Sequence, residues 1–154
     1  MKYIFFYKTP IGKLGVVETS GAITHILFEN SEMLDCEKKE TPLIKQAGQE
    51  LAEYFAGTRK KFDIEIKMEG TEFQKKVWRA LMKIPYGKTV SYKDIAEKIN
   101  NPKGMRAVGM ANNRNHIPII IPCHRVIGAN GTLIGYAGGL SIKQSLLDLE
   151  NPKK

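Results

Sequence analysis

Pro122-Cys123-His124-Arg125-Val126 sets a thiol, an imidazole and a guanidinium on consecutive residues. The apolar run Ile117 to Ile121 precedes them and reads as a strand, and glycine-rich chain follows from Gly128 to Gly139. A thiolate is the strongest nucleophile that a side chain offers. A neighbouring His and a nearby Arg can hold it deprotonated near neutral pH. A cysteine at a strand end can equally pack as a small inert hydrophobe. The motif alone leaves both readings open, and the rest of the chain has to decide between them.

The 154 residues suffice for one ordinary domain or two small ones. With 42% hydrophobic and 26% charged residues, a packed globular protein is expected rather than a disordered one. The two cysteines, Cys36 and Cys123, make no disulfide framework and fit a reducing, cytoplasmic setting. The first apolar run is cut by Lys8 and reads as a strand rather than a secretory leader, and no segment is long enough to span a membrane. The net charge of +8 is unevenly spread. Residues 1–70 carry 10 Lys and Arg against 11 Asp and Glu, whereas residues 71–154 carry 14 against 5. A positive field confined to one half points to a polyanionic partner, nucleic acid before membrane surface.

Elements that could position these residues can be read in order. Residues 3–7, 14–18 and 23–28 read as strands, joined at Thr9-Pro10 with Gly12 and at Ser20-Gly21. Leu43 to Phe55 has helical spacing and stops at Gly57, and Phe62, Ile64 and Ile66 alternate as in a further strand. A boundary near Met68-Glu69-Gly70 divides the chain into 1–69 and 70–154. Thr71 caps a helix carrying the stripe Phe73, Val77, Trp78, Leu81 and Ile84, with Trp78 as a core anchor. Ser91 caps a second helix, which Asn100-Asn101-Pro102 breaks before a third running from about residue 103 to 112. Two short helices across a tight polar break make a helix-turn-helix pattern. The later helix is rich in small residues, Gly104, Ala107, Gly109 and Ala111, with Arg106 and Arg114 as its cations. That composition suits close approach to a groove through shape and charge better than readout of base edges.

Taken in sequence, these pieces resemble the O6-alkylguanine-DNA alkyltransferase family, also called methylated-DNA–protein-cysteine methyltransferases. The resemblance rests on Pro85-Tyr86-Gly87, Ser91-Tyr92, Asn101-Pro102, Arg106-Ala107-Val108-Gly109, Asn115, Ile121 to Val126, Gly135 to Gly139, and Glu150. It implies an α+β fold, with an N-terminal ribonuclease-H-like unit and a mostly helical, winged-helix-like C-terminal domain. It implies that Cys123 takes an alkyl group from guanine O6 (and from thymine O4) once, irreversibly, from a base flipped out of the duplex. His124 would be the base toward Cys123, through a water, because adjacent side chains on extended chain point to opposite faces. Glu150 would orient His124, and Tyr92 would donate to the departing guanine. Arg106 would fill the gap in the base stack. Gly104, Met105, Ala107, Arg114 and Arg125 would meet DNA with it, in the minor groove and with weak sequence preference. Asn115, Val126, Tyr136, Ala137 and Lys143 would shape or support the guanine pocket. Ala137 stands where some members have Ser, and Met105 where some have Ala. The partner implied is double-stranded DNA bearing O6-alkylguanine, bound by a monomer, with no cofactor, no metal and no membrane.

Two other classes remain as alternatives. One is a non-enzymatic protein of the same fold that recognises alkylated DNA; the cysteine of the Pro-Cys-His-Arg motif argues against it. The other is a cysteine hydrolase, which needs an oxyanion hole and a Cys and His that meet face to face.

Overall fold

Turn chemistry organises the first sheet. The structure is a computed structural model that describes residues 1–29, 31, 34–133, 135–136 and 138–152. Strands β1 (Lys2–Thr9), β2 (Gly12–Thr19) and β3 (Ala22–Leu27) pair antiparallel in succession. Ser20 and Gly21 both have positive φ, 50° and 85°, as a two-residue turn that follows the natural twist of the strands requires. A short strand, β4 (Glu37–Lys38), adds to β1 in parallel, giving the order β3-β2-β1-β4. Helix α1 (Pro42–Phe55) covers the sheet with Ile44, Ala47, Leu51 and Tyr54, all buried. Thr41 caps it by accepting the Ile44 N–H, and proline at its first position needs no hydrogen-bond partner there.

The strand expected over Phe62, Ile64 and Ile66 reduces to one parallel bridge between Ile23 and Ile66. Its backbone is diverted: the buried Glu50 carboxylate accepts the N–H groups of Asp63 and Ile64 at 2.9 and 3.1 Å. Those donors are lost to a ladder.

The chain divides into two compact units, Met1–Glu69 and Gly70–Lys154. In the second, α2 (Glu72–Met82) begins with a capping box between Thr71 and Gln74. Strand β5 (Val90–Ser91) leads directly into α3 (Tyr92–Lys98), capped by Ser91, and Asn100 takes a left-handed φ of 61° before α4 (Met105–Asn113). Helices α2, α3 and α4 pack on one another. Trp78 is the anchor of this cluster, and its indole N–H donates to the Ala111 carbonyl at 2.9 Å. The chain then makes a 3-10 turn at Cys123–Arg125, enters β6 (Val126–Ile127), which pairs in parallel with β5, and finishes in α5 (Leu140–Glu150). The mixed α+β class expected from the sequence is the one adopted.

The run Ile117 to Ile121 is not a strand. Asn115 gathers it into a loop by accepting the Ile117 N–H at 2.9 Å and donating to the Ile121 carbonyl at 2.8 Å. Ile119 takes a φ of 74°, unfavourable for a β-branched residue. Ile117, Ile119, Ile120 and Ile121 are all buried, so no solvent face exists to impose alternation.

Trp78→Phe removes a buried hydrogen bond and part of the ring that joins α2 to α4. It is expected to cost about 1–3 kcal/mol of stability. Urea unfolding followed by circular dichroism measures this, since the chain's single tryptophan cannot serve as the probe.

Candidate active site

Three consecutive residues of a 3-10 turn leave it in three directions, about 120° apart. Cys123, His124 and Arg125 do so, and this replaces the opposite-faced extended geometry expected from sequence. All three side chains are buried. Two of them converge on Glu150 in the last turn of α5. His124 Nε2 lies 2.7 Å from Glu150 Oε2. Arg125 grips the same carboxylate twice, Nε to Oε1 at 2.7 Å and Nη2 to Oε2 at 2.9 Å, and its Nη1 donates to the Ile84 carbonyl at 2.7 Å. The Gly87 N–H adds a longer bond to Oε1 at 3.4 Å, and the Tyr86 ring lies 5.7 Å from the guanidinium carbon. Gly87 has a φ of 79°, and a side chain there would press on the Glu150 carbonyl, so the Pro85-Tyr86-Gly87 turn needs glycine at that position.

A carboxylate only accepts hydrogen bonds, so the proton on neutral His124 sits on Nε2 and leaves Nδ1 as an acceptor. Burial lowers the His124 pKa, and the Glu150 contact partly offsets this. The resting imidazole is therefore neutral, with Nδ1 held as an acceptor.

Cys123 is also neutral at rest. Burial pushes its thiol up to about 11, against opposing contributions from the Asn115 side chain, the Lys143 ammonium and the Tyr136 hydroxyl. His124 and Arg125 do not hold a standing thiolate, the possibility their adjacency raised: Arg125 is committed to Glu150, and desolvation outweighs the groups that favour the anion. Those groups remain poised around the sulfur. Lys143 is buried, with Nζ 5.9 Å from the Tyr92 ring centre and 3.4 Å from the Gly135 carbonyl. Tyr92, at the first position of α3, holds its phenolic proton more tightly than usual because of burial and the nearby Cys123.

The residues expected at DNA separate into two groups. Met105, Arg106, Ala107 and Arg114 are exposed along and just beyond α4, with Gly104 half-buried at its start. A side chain at Gly104 would collide with Asn101, so this glycine keeps the break between α3 and α4 tight. Gly109 packs toward the Tyr92 ring and Ala111 is buried, so only part of the small-residue stripe faces outward. Arg125 does not belong with the DNA-facing group. It is 7% exposed and bound to Glu150 and Ile84, which makes it a structural clamp. Of the residues expected at the pocket, Asn115, Val126, Tyr136 and Lys143 are buried, while Ala137 lies outside the described residues. The sequence reading missed α5 as the element that carries Lys143 and Glu150. It also missed Asn112, whose Nδ2 donates to the Cys123 carbonyl at 3.3 Å.

The shifted groups set a pH window. The folded chain keeps the Cys123 proton to about pH 11, whereas an unfolded chain releases it near 9.0. That contribution to stability is whole below pH 9 and is lost as pH rises through 11. For His124 the sign reverses: the unfolded imidazole takes a proton near 6.5 and the folded one resists, so stability falls as pH drops below 6.5. With iodoacetamide, Cys123 in the free protein is expected to react slowly at pH 7 and about tenfold faster per pH unit above it. Peptide mass spectrometry separates Cys123 from Cys36. A Cys123 rate that is flat from pH 7 to 9 would mean a thiolate at rest.

The geometry has counterparts among known proteins. Residues 2–68 match the 6-O-methylguanine DNA methyltransferase, ribonuclease-like domain, and residues 72–152 match the 6-O-methylguanine DNA methyltransferase, DNA binding domain. The chain is 47% identical to the constitutive methylated-DNA–protein-cysteine methyltransferase of Bacillus subtilis, with 97% of this chain and 96% of that protein covered. It is 48% identical to the methylated-DNA–protein-cysteine methyltransferase of Methanosarcina acetivorans, with 96% and 97% covered. Among solved structures, the O6-methylguanine methyltransferase of Mycobacterium tuberculosis superimposes with a TM-score of 0.92 at 40% identity, covering all of this chain and 95% of that one. The M. tuberculosis OGT in complex with DNA gives 0.90 at 42% identity, covering 96% and 92%. Both halves of the chain match, in order and over nearly their full length, and the chain belongs to the 6-O-methylguanine DNA methyltransferase family.

Proposed function

We propose that the protein repairs DNA by direct reversal, moving an alkyl group from guanine O6 in duplex DNA onto its own Cys123. The observation that carries this reading is the buried Cys123 beside a neutral His124 whose Nε2 proton is fixed on Glu150. Such a site can take up one thiol proton on demand, and the basic half of the chain that contains it favours a polyanion.

The thiol proton passes through a water to His124 Nδ1, and Glu150 stabilises the resulting imidazolium. The sulfur electron pair forms a bond to the alkyl carbon as the bond from that carbon to O6 breaks. Charge that develops on guanine is met by the Tyr92 hydroxyl, with the Lys143 ammonium nearby as support. The thioether does not hydrolyse, so each molecule acts once. Transfer from thymine O4 follows the same path. Asn115, Val126, Tyr136 and Lys143 bound the guanine pocket. Methionine at 105 adds bulk to the groove-facing end of α4.

A base within a duplex cannot reach a buried thiol, so it must leave the stack, at a cost of a few kcal/mol. Arg106, exposed on α4, fills the space it leaves. Gly104, Met105, Ala107 and Arg114 meet the minor groove around it, and the small residues permit close approach with weak sequence preference. The protein acts as a monomer and without a cofactor. Among the described residues, no helix is long and apolar enough to cross a membrane. A reactive thiol is best preserved in a reducing cytoplasm.

Mass spectrometry after mixing with a duplex carrying one O6-methylguanine tests the reading. A gain of one methylene, confined to the Cys123 peptide and stopping at one per molecule, is expected. Tight binding without any gain would instead make this a lesion-recognition protein. Cys123→Ala is expected to abolish transfer and keep DNA binding. Arg106→Ala is expected to slow repair of duplex by roughly tenfold or more while sparing reaction with the free modified base. Equal losses on the two substrates would remove its role in flipping.

A further inference from the structure

Asn112 lies on the buried side of α4 and is 1% exposed. Its Nδ2 donates to the Cys123 carbonyl, which also accepts the Val126 N–H that closes the 3-10 turn. One residue earlier, the Ala111 carbonyl holds the Trp78 indole, so this end of α4 is fixed on α2. The amide thus reaches Cys123 from a rigid base. Burying an amide among residues such as Val108 and Ala111 is unfavourable unless its polar atoms are used.

Asn112 Oδ1 is buried and meets no hydrogen-bond partner among the described residues, and the same holds for His124 Nδ1. Both are acceptors: Oδ1 by its nature, and Nδ1 because Nε2 carries the proton shared with Glu150. One of these residues adjoins Cys123 in sequence and the other is bonded to its carbonyl. Two buried acceptors so placed suit one water molecule, which has two protons to donate and a lone pair free for the thiol.

We propose that Asn112 is a positioning residue for alkyl transfer, holding the Cys123 backbone through Nδ2 and orienting the relay water through Oδ1. This rests on the alkyl-transfer reading above. The S–H proton goes to the water oxygen, and the water passes a proton to His124 Nδ1. The sulfur electron pair bonds the alkyl carbon, and the electron pair of the broken carbon–O6 bond leaves with guanine. The water is regenerated, its other O–H still donating to Asn112 Oδ1. The titratable and charged groups around the sulfur are Tyr92 from α3, Lys143 and Glu150 from α5, Tyr136 from the preceding loop, and His124 and Arg125 on the turn itself. Substituting Asn112 changes none of them, so a moved pH profile reports on the relay.

The test uses the full chain with Asn112→Leu, which keeps the volume and removes both polar atoms, and Asn112→Ala, which guards against overpacking. Single-turnover methyl gain on Cys123 is followed against concentration of an O6-methylguanine duplex from pH 6 to 10, alongside thermal melting. Both variants are expected to lose roughly ten- to hundredfold in the saturating rate. The half-saturating duplex concentration should stay within about twofold, because the loss falls on the chemical step. The rate should also rise at higher pH than in the unsubstituted chain. Should Asn112→Leu melt below the assay temperature, the Asn112→Ala rate and pH profile decide instead. An unchanged saturating rate overturns the proposal, as does a slower rate that tracks lost duplex affinity while the pH profile stays in place. Failure of the unsubstituted chain to transfer would overturn the underlying reading instead.

Discussion

The Glu150 carboxylate is the point on which the site depends. It sits buried at the end of α5, faces a guanidinium on both oxygens, and holds the imidazole of His124 in one tautomer. Removing a charge from water is costly, and a buried pair is tolerated when its geometry is good and its remaining lone pairs are occupied. Here Arg125, His124 and the Gly87 N–H occupy them. The ion pair therefore serves specificity of arrangement more than raw stability. It fixes α5, the turn after Ile84 and the Cys123 turn relative to one another.

Around this fixed charge the reacting groups are kept neutral. Cys123 holds its proton to about pH 11 and His124 resists taking one. A permanently ionised thiolate would be open to any small electrophile, and a single-use protein so modified would be wasted. On the proposed mechanism, with both groups neutral and buried, the proton moves when a substrate makes the move favourable. Asn115, Tyr136 and Lys143 already surround the sulfur with groups that favour the anion, so little rearrangement is required at that moment.

Local chemistry was legible in the sequence where one residue type answers one physical need. Thr71 and Ser91 cap their helices, Ser20-Gly21 makes its turn, and the stripe through Trp78 faces the core. The motif at Cys123 was legible too, because thiol, imidazole and guanidinium are adjacent. What could not be read were effects of distant partners. The Ile117 to Ile121 run has the composition of a buried strand, yet Asn115 closes it into a loop. Phe62 to Ile66 alternates like a strand, but Glu50 takes its donors. The resemblance puts Arg125 among the DNA contacts, but Glu150, 25 residues later, turns it inward. Leu140–Glu150 is only weakly amphipathic, yet it forms a helix with Lys143, Leu146 and Glu150 buried.

Helix ends are ordinarily where a fold frays first, because their last carbonyls lack partners and little else restrains them. In α5 the side chain of the final helical residue is instead among the most firmly held groups in its unit. Opening that one turn would strand a buried guanidinium and free the imidazole to rotate. Order in the last turn of α5 and the orientation of the imidazole beside Cys123 are thus a single property, and that turn cannot loosen without releasing the ring.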